Sequence, residues 1–343
     1  MAITSSSESL LNWSLRLPPC DRFVRPPVHT TAATSITKSS GESFELATPF
    51  FWFDPAWYQV DVERCALVAN AIASCGIVVS VLHSDLAQID NVDASALTPR
   101  MVPHRFDRAG LIYRDFASAS FIDLRMALSR DSHGRFAYPI NQLLRWANQE
   151  ETQIDRSIDA MTFPPDWKSL DDMVPKVNQL RRLSSAAVFL SFDSFHLPVM
   201  MPAALKAKVD GVIVQISGDP LASIVEARRL IDESENTSIP LWIVTNTALS
   251  PEDCVKCFAM GANGISVDAM CNGFLFGSNQ LEMTTSERAA RSFGLPKPAD
   301  SHQRIFHLAK QMVDRFVADI CGHAHSCGVD RLSNLCPAHL TRT

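Results

Sequence analysis

The chain has 343 residues, 46% apolar and 20% charged, with a net charge of −6, enough to bury one large core or two modest ones. The acidic balance and the lack of any long Lys/Arg run exclude an electrostatic case for nucleic acid or an anionic membrane as partner. No stretch reaches the roughly 18 consecutive apolar residues of a spanning helix.

Nine cysteines, an odd number at irregular spacing, favour a reducing compartment. The N-terminus lacks both a basic start and an unbroken apolar run, so a secretory signal is not expected and a cytoplasmic location is. Residues 1–44 are rich in Ser, Thr and Pro and follow neither the strand nor the helix period; they read as a disordered or surface-draped arm.

Organised structure is expected from residue 45. The aromatic run "FELATPFFWF", bounded by Pro49 and Pro55, suits a buried strand. The segment "VDVERCALVANAIASCG" has apolar residues at helical spacing and Gly76 as a stop, and "IVVSVL" follows as a strand. Between about 90 and 165, "GLIYRDF" reads as a strand, and "FIDLRMALS" and "INQLLRWANQE" read as helices on inserted segments.

From residue 169 to 270 the pattern is regular, with units of about 25 residues in which amphipathic helices alternate with the short apolar strands "AAVFLSF", "GVIVQI", "PLWIVT" and "GISVD". Such alternation means parallel strands covered by helices. The expected architecture is an α/β (β/α)8 barrel over residues 45–340, closed by a C-terminal helix over about 303–320. A doubly wound open sheet is the alternative, but no G-x-G-x-x-G follows the first strand to support it.

Several residues carry chemistry by type and place. His83 and Asp85 lie just past a strand that ends on the catalytic face of a barrel, where a His near a carboxylate could serve as a general base; a loop His beside an Asx turn is the plainer reading. Asp193 and Asp219 follow strands in the same way, and with Asp268 they could ring the mouth with negative charge that suits a divalent cation or an amine. Cys254 and Cys257 have C-x-x-C spacing but fall inside an amphipathic helix, where buried thiols are ordinary packing. Cys321, His323, His325 and Cys327 are borderline-soft ligands within seven residues; alternate residues on one short loop close a zinc tetrahedron poorly, so no metal is assigned to them.

Three segments carry a resemblance. "PPDWKSLDDMVPKVNQLRRL", "LSPEDCVKCFAMGANGISV" and "HLAKQMVDRFVADICGHAHSCGVDRLSNL" resemble, in order and spacing, segments of the FMN-binding barrel domain of the glutamate synthase family. The resemblance implies FMN at the C-terminal ends of the strands and electron transfer to 2-iminoglutarate to form glutamate. It places the cofactor against Ser217, Gly218, Asn246, Thr247, Asp268 and Ala269.

The chain departs from that pattern at the same places. The family's glycine pair falls on Asn246 and Thr247, and its glycine after the last strand falls on Asp268. Its strand lysine falls within "VFLSF", which has none, and of its three cluster cysteines at most Cys271 remains, so no [3Fe-4S] cluster is expected. Two classes of function follow: a glutamate synthase-like flavin oxidoreductase, or a flavin-free barrel that binds a small molecule at its mouth or a protein partner.

Overall fold

The computed structural model describes residues 9–17, 29–55, 62–81, 99–104, 116, 119–126, 129–130, 136–137, 169–216, 219–234, 238–245, 247–277 and 299–342. Eight parallel strands close into a barrel: β1 (Phe50–Trp52), β2 (Val78–Ser80), β3 (Arg100–His104), β4 (Phe121–Arg125), β5 (Ala187–Asp193), β6 (Gly211–Ile216), β7 (Leu241–Thr245) and β8 (Gly264–Ser266), with β8 returning to β1. The helices among the described residues are α1 (Val62–Ser74), α2 (Met173–Leu183), α3 (Leu197–Ala207), α4 (Pro220–Asp232), α5 (Pro251–Ala259), α6 (Asp268–Gly277) and α7 (Ala299–Ser326). This is the (β/α)8 architecture expected from the sequence.

Local chemistry sets the element ends. Gly76, at φ +81°, ends the turn after α1 in a conformation that suits a residue without a side chain. Asp219 and Ser250 cap α4 and α5 by accepting the N–H groups of Leu221 and Asp253, and each is followed by proline in the first turn. The barrel strands of the regular half are buried on both faces, as parallel strands under helices must be.

Two readings of the middle region are corrected. The segment "FIDLRMALS" is not a helix: Phe121–Arg125 is the barrel strand β4, paired with β3 on one side and β5 on the other. Its inward positions include a charged pair, and that interruption of the apolar run imitates amphipathic helical spacing. No strand was expected over Arg100–His104, because Pro103 and the flanking charged residues disguise it. Of "GLIYRDF" only Phe116 is among the described residues, and "INQLLRWANQE" lies outside them.

The arm and the tail close the two ends of the barrel wall. Strand Trp13–Leu15 pairs antiparallel with Leu340–Arg342. Leu10 is pinned by its N–H, which donates to Asp219 Oδ2 at 2.8 Å. A hairpin of Thr34–Thr37 and Ser43–Leu46 covers the N-terminal end of the barrel, burying Ile36 and Leu46 and setting Phe44 5.3 Å from Phe121. Its turn is tied to the barrel foot, where Lys38 Nζ donates to Ser185 O at 2.7 Å and Ser39 N–H to Asp210 Oδ1 at 2.7 Å.

The C-terminal helix is longer than expected, running over Ala299–Ser326, and packs along α1 and α5. Phe316 on α7 meets Phe50 of β1 at 5.6 Å. Among the described residues, no helix is long and apolar enough to cross a membrane.

Candidate functional site

Inside the barrel, the lower layer is aromatic. Phe51, Phe121, Phe189 and Trp242 meet with ring centroids 4.6–5.3 Å apart. Glycines make the room: a Cβ at Gly211 would stand 2.3 Å from the Phe189 ring, and one at Gly264 2.6 Å from that of Trp242. Four large rings and two absent side chains fill a tapering interior at close-packed density.

Further along β4 and β5, toward the C-terminal ends, the interior gains polar groups among apolar ones such as Phe53, Ile213 and Val244. Asp123 and Arg125 project inward from β4 above Phe121, and their ion pair, Nε to Oδ2, measures 2.9 Å with side-chain exposures of 0% and 3%. The guanidinium lies 3.8 Å above the Phe53 ring, and its Nη2 donates to Phe53 O at 3.2 Å and reaches Ser80 Oγ at 3.4 Å. Arg125 thus binds the ends of β1, β2 and β4 together while holding a positive charge under the mouth.

The partners of this pair are incomplete. Asp123 Oδ1, Ser191 Oγ and Gln215 Nε2 are buried atoms without a hydrogen-bond partner among the described residues. Ser191 lies near enough to hold the Asp123 carboxyl down, though not in hydrogen-bond geometry, and Arg125 acts in the same direction more strongly. Burial outweighs both and leaves the carboxyl raised above its ordinary value. Buried polar groups are normally paired, so three orphan atoms in one layer mark a place where a ligand or water completes the network.

Asp268 sits across the mouth, where β8 becomes α6. Its Oδ1 accepts the N–H of Asp54 at 2.7 Å, and its Oδ2 is hydrogen-bonded to the Ser266 hydroxyl. Burial pushes the carboxyl up to about 6, against those two hydrogen bonds. The carboxylate therefore clasps the end of β8 to the loop after β1.

The expected site residues fall into three groups. His83, Asp85, Ser217, Gly218 and Asn246 lie outside the described residues. Thr247 and Ala269 are exposed, and the Thr247 carbonyl accepts the Thr245 hydroxyl at 2.8 Å. Asp193 is taken up locally, capping the short turn Ser194–His196 by accepting Phe195 N–H at 2.9 Å.

The acidic ring is corrected. Asp219 is spent on the N–H groups of Leu10 and Leu221, and among the described residues no three His, Cys, Asp or Glu side chains converge to hold a metal.

The soft-ligand cluster is corrected as well. Cys321, His323 and His325 are on α7 rather than on a loop, with Cys327 just past its end. Side chains two apart on a helix project about 200° apart, so the set divides between opposite faces. Cys254 and Cys257 are core residues of α5, 1% and 0% exposed, with thiols raised by burial.

Asp123, Arg125, Ser191 and Gln215 were missed by the sequence reading. The signal that could have found them is the alternation Phe121, Asp123, Arg125 set against Ile122 and Leu124, which is the strand period and not the helical one.

No family model matches the chain, and no curated protein does. Solved structures do. A variant of an active chimera of (S)-mandelate dehydrogenase superposes with a TM-score of 0.57 at 13% identity, over 97% of this chain and 89% of that one. A flavocytochrome b2 variant with pyruvate bound gives 0.57 at 11% identity, covering 97% and 76%. The recombinant flavin-binding domain of baker's yeast flavocytochrome b2 gives 0.53 at 12% identity, again over 97% and 76%. The likeness is one of fold.

Proposed function

We propose that the protein is an oxidoreductase-lineage barrel of the FMN-binding kind, glutamate synthase-like in the order of its segments, and that its working site is the polar layer at the mouth. The observation that carries this reading is the buried Asp123–Arg125 pair with the orphan atoms of Asp123, Ser191 and Gln215. A barrel needs no such layer to be stable, because a buried ion pair rarely exceeds an apolar replacement in stability. Its position at the C-terminal ends of the strands is where barrels of this architecture do chemistry. The barrels similar in fold include one described as flavin-binding and one holding pyruvate, which supports a flavin and a small oxo or hydroxy acid as the ligand classes to test.

Asp268 favours a second reading. The resemblance puts the flavin phosphate at the start of α6, and there the chain already holds a carboxylate bonded to Asp54 N–H. An ionised Asp about 5 Å from a phosphate opposes it by roughly 3 kcal/mol at an effective dielectric near 20, about two decades of affinity. The described residues do not fit FMN in that station. A barrel that kept the architecture and binds a small ligand, or a protein partner, without redox chemistry satisfies the same geometry.

The absorbance spectrum of the purified protein, followed by FMN titration of wild type and Asp268→Gly, separates the two. Bands near roughly 375 and 450 nm in the wild type support the oxidoreductase reading. Binding only by Asp268→Gly assigns the exclusion of flavin to that carboxylate and supports the second. Binding by neither removes FMN from both.

A further inference from the structure

At the end of the barrel away from the mouth, a cavity of about 220 Å³ lies between the N-terminal hairpin and the barrel foot, lined by Thr34–Thr37, Arg228, Ser238–Pro240 and Asn263 among others. All four residues of one hairpin strand line it and none of the other strand does, so it runs along the unpaired edge of that strand. Lys38 N–H donates to Glu42 O at 2.8 Å, and hydrogen-bonded pairs alternate from there along the hairpin. Thr34 and Ile36 therefore turn their N–H groups to the partner strand, and Ser35 and Thr37 turn theirs to the open edge.

The same cavity holds a positive charge that the fold answers only in part. Arg228 Nη2 donates to Ile239 O at 3.1 Å and to Asn263 Oδ1 at 3.4 Å. Its Nε is buried without a hydrogen-bond partner among the described residues, and its Nη1 has Asp232 Oδ1 at 3.9 Å, beyond hydrogen-bond reach. Burial lowers the guanidinium below its ordinary value, and Asp232 restores only part of that. Asn263 Oδ1 also accepts Leu241 N–H at 2.9 Å, which fixes the amide and leaves Nδ2 as a spare donor. No Asp or Glu is among the residues that line the cavity.

We propose that this foot cavity binds a small oxyanion, a carboxylate or a phosphate, held by Arg228, the Asn263 amide and the edge N–H groups of Ser35 and Thr37. A sheet edge with open N–H groups makes an anion-binding concavity, and a guanidinium beside it adds charge-assisted hydrogen bonds. The volume is below that of pockets that take cofactor-sized ligands, so the occupant is a small ion with its waters. Bound there, the ion joins the hairpin to α4 and tightens the cover over the aromatic foot. The site is independent of the mouth and of either reading of it.

Titration of the full ¹⁵N-labelled chain with sodium acetate, inorganic phosphate and sodium chloride at matched ionic strength, read at the amides of Ser35 and Thr37, tests the site. Saturable shifts are expected with acetate or phosphate and not with chloride, and the anion that saturates first gives the class of the occupant. Asn263→Asp keeps the acceptor for Leu241 N–H and Arg228 while removing Nδ2 and adding a negative charge. It is expected to fold with an unchanged or higher Tm and to weaken binding about tenfold or more, and Arg228→Gln to weaken it as much. The proposal is overturned if neither oxyanion gives a saturable shift or if chloride gives the same one. It is equally overturned if Asn263→Asp, folded as the wild type, binds as tightly.

Discussion

Along β4 the inward positions run Phe121, Asp123, Arg125, and the chemistry of the barrel interior changes with them. At the foot, Phe51, Phe121, Phe189 and Trp242 interlock around Gly211 and Gly264, and the hairpin carrying Ile36 and Leu46 covers the end. Near the mouth, within two residues, the interior holds a buried ion pair and three atoms with no partner. Both layers are dry by exposure, but the first is satisfied by packing and the second is not. The comparison separates what holds the barrel closed from what the barrel holds open for a ligand.

The sharpest way to break the comparison is to disturb each layer singly. Asp123→Ala takes a buried carboxylate from beside the Arg125 guanidinium, which cannot shed its charge, and is expected to cost up to about 3–5 kcal/mol. The double replacement Asp123→Leu, Arg125→Met should cost clearly less than the single one, because no charge is left buried. Urea unfolding of the three proteins checks this, and equal losses for single and double variants would mean that the pair is a structural requirement.

In the foot the rule is volume. Trp242→Ala should cost about 3–5 kcal/mol through the cavity it leaves, and Gly211→Ala about 1–3 kcal/mol, since its new methyl meets the Phe189 ring. Thermal unfolding reads both. Phe189→Leu is expected to recover part of the Gly211→Ala loss by giving back the space.

The mouth should respond to pH in a way that the foot does not. Asp268 binds its proton more tightly in the folded state, up to about 6 against an ordinary 3.8. Its contribution is therefore full below about 4 and is lost as the pH rises through about 6, a change on the order of 2–3 kcal/mol. Asp268→Asn should remove that slope, so the stability difference between variant and wild type changes sign or size between about pH 4.5 and 6.5. A difference that stays flat across that window would show that Asp268 is not the group responsible.

The regular half of the barrel was legible because its strands are apolar on both faces and its helices carry capping residues, as at Asp219 and Ser250. The site was not, for the same physical reason that makes it a site. Asp123 and Arg125 interrupt the apolar run of β4 with charge, and a run so interrupted over "FIDLRMALS" reads as an amphipathic helix. Arg100, Pro103 and His104 hide β3 in the same manner. Cys321 to Cys327 misled in the opposite sense, since a rich ligand composition drew attention to residues that α7 turns onto opposite faces. Asp268 was found by its departure from a resemblance, but its clasp to Asp54 is a long-range contact that no local pattern carries.

The smallest expected effect bears most directly on function. Ser191 Oγ, which steadies the Asp123 carboxyl less than Arg125 does, and Gln215 Nε2 have no hydrogen-bond partner among the described residues, so Ser191→Ala and Gln215→Met should leave stability unchanged within about 1 kcal/mol or raise it, where removal of a satisfied buried group would lower it. A gain fits a site that gives up stability for ligand binding, as working sites commonly do. A loss beyond about 1 kcal/mol from either variant would mean that ordered water already completes the layer. The mouth would then be as finished as the aromatic foot, and the contrast between the two layers would be one of polarity alone.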